Sequence, residues 1–150
     1  MPHNGMDFQD NRFNPEDFLD YAVSRGFGDV HFKFDQQTGL NAIIAIHSTA
    51  RGPALGGCRC IEYDSLYQGL FDALRLARAM SYKAALVNLP HGGGKSVLLK
   101  PKTITDRETY FRKFGEFVNE LNGRYITAED SGSTTQDMDA ILRKKHYVAG

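Results

Sequence analysis

Between Ser65 and Met80 the residues Leu66, Leu70, Phe71, Leu74, Ala77 and Met80 recur at intervals of three and four, the period of a helix buried along one side. Ser65 and Gln68 form a capping-box pattern at its start, with Asp64 as the other candidate cap. An extended stretch, Cys58 to Tyr63, precedes this helix, and an apolar run, Ser96 to Leu99, follows it. A long one-sided helix between such segments needs a sheet to bury its stripe, and that requirement points to an α/β architecture.

The rest of the chain extends the pattern. Asn14-Pro15-Glu16-Asp17 predicts a short first helix, carried by Phe18, Tyr21, Ala22 and Arg25 and stopped at Gly26. His31 to Phe34 alternates, with Phe32 and Phe34 on one face; Asp35 to Gly39 is a turn and Leu40 to Ile46 a buried strand, together an antiparallel hairpin. Thr49 to Gly57 reads as a loop. Ala84 to Leu89 is a short apolar run, Pro90 to Gly94 a turn, and Lys95 lies between that turn and the next strand. Thr105 with Glu108 predicts the start of a second long helix, lined by Tyr110, Phe111, Phe114, Val118 and Leu121 and ended by Asn122-Gly123. Arg124 to Ala128 is then a strand, Thr135 to Lys144 a helix, and His146 to Ala149 the beginning of a strand. The expected fold is a three-layer α/β sandwich: a mostly parallel or mixed central sheet, helices on both faces, and an antiparallel hairpin near the N-terminus. Residues 1–12 are polar and read as a flexible terminus, leaving 13–150 as one domain.

Eighteen basic residues offset 18 acidic ones, so bulk charge selects neither nucleic acid nor an acidic membrane surface. No apolar run approaches the roughly 18 residues of a membrane span, and the polar first residues lack the core of a signal peptide. The two cysteines, Cys58 and Cys60, read as reduced thiols on opposite faces of a strand, and no second ligand pair gives them a metal. The expectation is a cytoplasmic protein.

Two lysines, Lys83 and Lys95, bracket an apolar run and the triple glycine Gly92-Gly93-Gly94. Gly94-Lys95-Ser96 resembles the end of a phosphate loop, but the glycine that motif requires would fall at Leu89, and a strand rather than a helix follows. No glycine set has the G-x-G-x-x-G form between a strand and a helix, so no dinucleotide site is read in this chain. A lysine between glycines and an apolar strand is poorly hydrated, which favours the neutral amine, and a second nearby ammonium acts the same way. Such a lysine can exchange protons while a charged partner holds a carboxylate. The plain alternative is that both are solvated. Asp130, at a strand end, is either a turn residue or a ligand-facing group, and Gly56-Gly57 either a tight turn or a backbone cradle for an anion. His91 reads as a surface turn residue and His47 as structural.

Taken together, Gly52-Pro53-Ala54-Leu55-Gly56-Gly57-Cys58-Arg59, Ser81-Tyr82-Lys83, Gly92 to Lys95 and Asn122 to Gly132 resemble the amino-terminal domain of the leucine, phenylalanine and valine dehydrogenases, with glutamate dehydrogenases more distant. The resemblance runs from about Gly39 to Gly150. It implies reversible oxidative deamination of an apolar L-amino acid to a 2-oxo acid and ammonia with NAD. Lys83 would bind the substrate carboxylate, helped by backbone amides at Gly56 and Gly57; Lys95 would activate water, and Asp130 would carry protons at the amino nitrogen. Leu55 and Ala128 would line the side-chain pocket together with Met80. The resemblance further implies a homo-oligomer, a dimer or higher, and a nicotinamide-binding domain that these residues do not include, without which the chain is expected to be inactive.

Ala149 departs from the family's usual threonine, and Pro90 and His91 occupy positions that vary among its members. Leucine or another branched-chain amino acid is the first expectation for the substrate and phenylalanine the second. A reading of another class, a non-catalytic assembly or ligand-binding module that keeps these residues as relics, stands beside them.

Overall fold

A computed structural model describes residues 15–142, with side chains from Asp17 onward. The Asn14 cap, the expected strand at His146 to Ala149, the departure at Ala149 and the terminus 1–12 lie outside the described residues. The elements in order are α1 (Pro15–Ser24), β1 (Asp29–Asp35), β2 (Leu40–Ile46), β3 (Ala54–Ile61), α2 (Leu66–Leu86), β4 (Gly92–Leu99), α3 (Arg107–Glu120), β5 (Tyr125–Glu129) and α4 (Thr135–Leu142). Among the described residues, no helix is long and apolar enough to cross a membrane.

The five strands form one mixed sheet in the order β1-β2-β4-β3-β5. β1 and β4 both run antiparallel to β2, whereas β3 is parallel to β4 on one side and to β5 on the other. The hairpin β1–β2 therefore forms one margin of the sheet, and the β3–α2–β4 crossover makes its parallel half. Alternation along each strand divides the core in two. Ile43, Ala45 and Val97 pack with Leu70, Phe71, Leu74 and Ala77 of α2 and with Phe18 and Tyr21 of α1. On the opposite face Ile44, Ile46, Cys58, Leu98 and Tyr125 pack with Tyr110, Phe111 and Phe114 of α3 and Met138 and Ile141 of α4. Helices on both faces of a mixed sheet are what the residue pattern predicts.

Local details differ where longer-range contacts decide. Ser65 caps α2 by accepting from the Gln68 amide, and the Gln68 side chain reaches back to the Asp64 amide. The helix then continues past Lys83 to Leu86, so the first part of the apolar run Ala84 to Leu89 is helical rather than a separate segment; only Ala84 of that run is buried. The chain leaves the helix through Asn88, whose φ of 56° is left-handed. Asp106, not Thr105, caps α3, its carboxylate accepting from the Thr109 amide at 3.1 Å; an ionised acceptor at a helix N-terminus is favoured by the helix dipole. Asn122 and Gly123 end that helix with φ of 52° and 82°. Cys58 and Cys60 share a face, since strand side chains repeat every second residue, and the expectation of opposite faces fails on that period. Both are free and buried, and burial pushes each thiol up.

The largest difference concerns the glycines. Gly92, Gly93 and Gly94 belong to β4 and Gly56 and Gly57 to β3, where a turn and a loop are predicted. They are strand residues by their pairing, and they are glycines because nothing larger fits. A Cβ on Gly92 would stand 1.7 Å from the Ser48 carbonyl oxygen, one on Gly93 2.1 Å from the Ser81 nitrogen, and one on Gly56 1.6 Å from the Gly94 carbonyl oxygen. Glycine at these places answers to close packing rather than to chain reversal.

Candidate active site

Because side chains alternate along a strand, Leu55, Gly57 and Arg59 of β3, Gly93 and Lys95 of β4, and Ile126 and Ala128 of β5 share the α2 face of the sheet. β5 pairs with β3 at Leu55↔Ile126 and Gly57↔Ala128. α2 covers β2 and β4 but leaves Leu55, Gly57, Ile126 and Ala128 only half-buried. The result is a shallow shelf with an apolar floor.

Lys95 comes up through the floor of that shelf. Flanked in the sheet by Ala45, it is only 5% exposed, and its Nζ donates to Asp130 Oδ2 at 2.6 Å. Asp130 lies one residue beyond β5, held by a turn in which its amide donates to Ser133 Oγ and that hydroxyl donates to the Cys58 carbonyl at 2.6 Å. Ser131 accepts from the Cys60 amide, and Arg107 donates to the Gly132 carbonyl, so the loop is fastened to both β3 and α3. Gly57 provides the space. A Cβ there would lie 2.7 Å from Asp130 Cβ and 3.2 Å from Lys95 Nζ. Burial raises the Asp130 carboxyl, but the hydrogen bond and charge of Lys95, with those of Arg59, outweigh it and hold the group below the usual carboxylate range.

Arg59 is the residue that sequence reasoning passed over. Its Nε donates to Asp130 Oδ2 at 3.0 Å, on the oxygen that Lys95 uses, and its Nη1 lies 3.3 Å from Asp72 Oδ2 on α2. Asp72 in turn accepts from the Tyr63 hydroxyl at 2.5 Å and from Arg75 at 2.7 Å. Five charges of alternating sign, Lys95, Asp130, Arg59, Asp72 and Arg75, thus run from the shelf into the flank of α2. The second cation at Asp130 is Arg59 and not Lys83. Alternation from Gly57 was the one available signal, since it puts Arg59 on the same face.

Lys83 stands in the last turn of α2, exposed. It follows Asp72 by three helical turns and so lies on the flank that Asp72 turns toward β3; Met80, half-buried, lies nearer the sheet on that flank. Leu55 and Ala128 sit on the shelf. Gly56 has the opposite orientation and adjoins Gly94, and both Gly56 and Gly57 pair with β5, at Thr127 and Ala128. His47 is structural as expected. Its Nε2 faces the Arg25 carbonyl, so that nitrogen donates and Nδ1 accepts from the Ser81 hydroxyl, which itself accepts from the Gly93 amide. The bridge ties the end of α2 to the glycine strand.

The class these features define is an α/β domain built on a mixed five-stranded sheet, with a buried lysine–aspartate ion pair beside a half-buried apolar shelf. The chain belongs to the family described as Glu/Leu/Phe/Val dehydrogenase, dimerisation domain, whose pattern matches residues 27–147. It is 50% identical over 130 residues to a leucine dehydrogenase of Geobacillus stearothermophilus, covering 87% of this chain and 35% of that protein. With a phenylalanine dehydrogenase of Bacillus thermotolerans it shares 42% over 135 residues, covering 90% and 35%. Among solved structures, the L-tryptophan dehydrogenase of Nostoc punctiforme superposes with a TM-score of 0.82 at 39% identity, over 87% of this chain and 39% of that one. The chain spans about a third of the length of the curated relatives it matches.

Proposed function

We propose that this chain is the substrate-binding and oligomerisation domain of an NAD-dependent amino acid dehydrogenase, which interconverts an apolar L-amino acid with its 2-oxo acid and ammonia. The observation that carries the reading is the 2.6 Å contact of Lys95 with Asp130 beside a shelf of Leu55 and Ala128. The shelf takes the aliphatic side chain, with Met80 closing it from α2, and exposed Lys83 takes the carboxylate. Asp130, an ionised carboxylate at neutral pH, accepts a proton from the substrate ammonium. Lys95 gives up its ammonium proton to solvent as the substrate's ammonium comes beside Asp130, and after oxidation to the iminium its amine takes a proton from water as the water oxygen bonds to the carbon. Asp130 returns its proton to the nitrogen and, ionised again, takes the hydroxyl proton as the O–H electron pair closes the C=O bond and the C–N bond breaks with its pair going to nitrogen, so ammonia and the 2-oxo acid leave. Gly56 and Gly57 contribute by lacking side chains, which lets β3 and β4 approach and the two catalytic groups meet.

NAD supplies the hydride acceptor in such a reaction. Among the described residues no glycine-rich strand-to-helix turn fits its pyrophosphate, since Gly92 to Gly94 lie within β4, and no step above runs through it. Leucine stands first as substrate because the leucine dehydrogenases match at higher identity than the phenylalanine enzyme. The test is turnover by the longer protein that carries this domain. Activity on leucine, valine or phenylalanine is expected, with a loss of about 100- to 10,000-fold on Lys95→Ala. No activity on any apolar amino acid, or full activity in the variant, refutes the reading.

A further inference from the structure

Asp130 would be poorly held by Lys95 alone. In the proposed cycle Lys95 alternates between ammonium and amine, and each time it becomes neutral it stops compensating the carboxylate it touches. The charged groups facing Asp130 are Lys95 from β4 and Arg59 from β3, with Asp72 of α2 behind Arg59. Arg59 is the one of these two cations that keeps its charge throughout, because a guanidinium does not deprotonate at accessible pH. Burial disfavours its charge, but Asp130 and Asp72 outweigh burial and strengthen it.

The geometry is that of a brace. Arg59 donates through Nε to Asp130 and through Nη1 to Asp72, so its plane is set at two points 71 and 13 residues away in the chain. Asp72 cannot swing away, since Tyr63 and Arg75 occupy both of its oxygens. Its side chain is 14% exposed and that of Arg59 22%, so solvent screens these contacts less than it would a surface pair. Lys95 and Arg59 both engage Oδ2, so Oδ1 takes no part in either contact.

We propose that Arg59, fixed from behind by Asp72 and Tyr63, is a positioning residue that clamps Asp130 through Oδ2 and keeps it an ionised, oriented proton acceptor at Oδ1 whether or not Lys95 is charged. The catalytic half of this statement rests on the role given to Asp130 above; the electrostatic half does not.

The test reads the two halves separately. In this chain the Asp130 carboxyl carbon is titrated by NMR in the wild type, Arg59→Met and Arg59→Lys. The methionine variant is expected to raise the Asp130 midpoint by about one pH unit, the lower end of what an adjacent opposite charge does to a carboxylate. Lysine keeps the charge but not the two-point fork, and is expected to return part of that rise. An unchanged midpoint in both variants, or the same rise in both, overturns the proposal. If the methionine variant gives no dispersed spectrum, Arg59→Gln, which keeps a donor without the charge, decides in its place. In the longer protein the acid limb of the kcat/KM profile is expected to move up with the NMR midpoint in Arg59→Met. A limb that stays in place while the midpoint moves overturns the catalytic half, whereas a protein with no turnover on any amino acid overturns the reading of the activity and leaves the NMR result standing.

Discussion

Adjacent glycines in β3 face opposite sides of the sheet, so the same substitution at each should have different consequences. At Gly57 an alanine Cβ would stand 2.7 Å from Asp130 Cβ, 3.2 Å from Asp130 Cγ and 3.2 Å from Lys95 Nζ. Lys95 Nζ, at the far end of a flexible side chain, can give way, but Asp130 Cβ is bonded to its backbone, so the turn that follows β5 has to shift with it. Yielding parts Asp130 from Lys95 and Arg59. Overpacking of this kind costs about 1–3 kcal/mol, and the stiffer unfolded chain of alanine offsets about 0.4–1 kcal/mol, so Gly57→Ala should destabilise by about 0–2.6 kcal/mol. At Gly56 the Cβ would stand 1.6 Å from the Gly94 carbonyl oxygen and 3.0 Å from the Lys95 nitrogen, both backbone. Nothing there can move without opening the β3–β4 ladder, and Gly56→Ala should cost more than about 4 kcal/mol or fail to fold. Urea denaturation measures the first quantity, and NMR titration of Asp130 in Gly57→Ala reads the second, an expected upward move of its midpoint as its cations withdraw. A Gly56→Ala protein as stable as the wild type, or a Gly57→Ala protein with unchanged Asp130 titration, would refute the steric reasoning.

Acid should unfold the protein through its paired carboxylates. Asp130 and Asp29 are each raised by burial but lowered further by their partners, Lys95 and Arg59 in one case and Arg124 with the His31 hydrogen bond in the other, while Asp106 is lowered by Thr109. A carboxyl whose folded value lies below its unfolded one stabilises the fold above the unfolded value, about 3.9, and loses that contribution as pH falls through the folded one; Tm should therefore be flat from about pH 7 to 5 and fall below about pH 4. A Tm that instead falls as pH rises from 4 to 7 would contradict this sign. β1 is an edge strand that leaves Phe32 and Phe34 40% and 60% exposed, stacked 6.2 Å apart, an apolar margin suited to pairing with a second copy. Sedimentation at micromolar concentration should show a dimer or higher, weakened by Phe34→Lys; a monomer in the wild type would refute it.

Much of this chain was legible in its residues, and the parts that were share a physical cause. The α2 stripe, the Ser65 cap, the turn at Asp35 to Gly39 and the Asn122-Gly123 stop all rest on contacts within a few residues, where period and side-chain chemistry act directly. Lys95 and Asp130 stood out by residue type and neighbours, and their roles came from the resemblance rather than from spacing. What remained hidden depended on approach between distant segments. The glycines read as turns because glycine permits turns; only the packing of β3 against β4, and of α2 against Gly93, shows that they are strand residues cleared for neighbouring backbone. The brace of Arg59 has no local signature, because its partners Asp130 and Asp72 meet it only once β5 and α2 have taken their places beside β3. The sequence by itself determined the elements, their order and the two groups that meet at 2.6 Å; the tertiary structure decided the strand order β1-β2-β4-β3-β5 and the second cation at the carboxylate, since both are set by contacts that exist only in the assembled sheet.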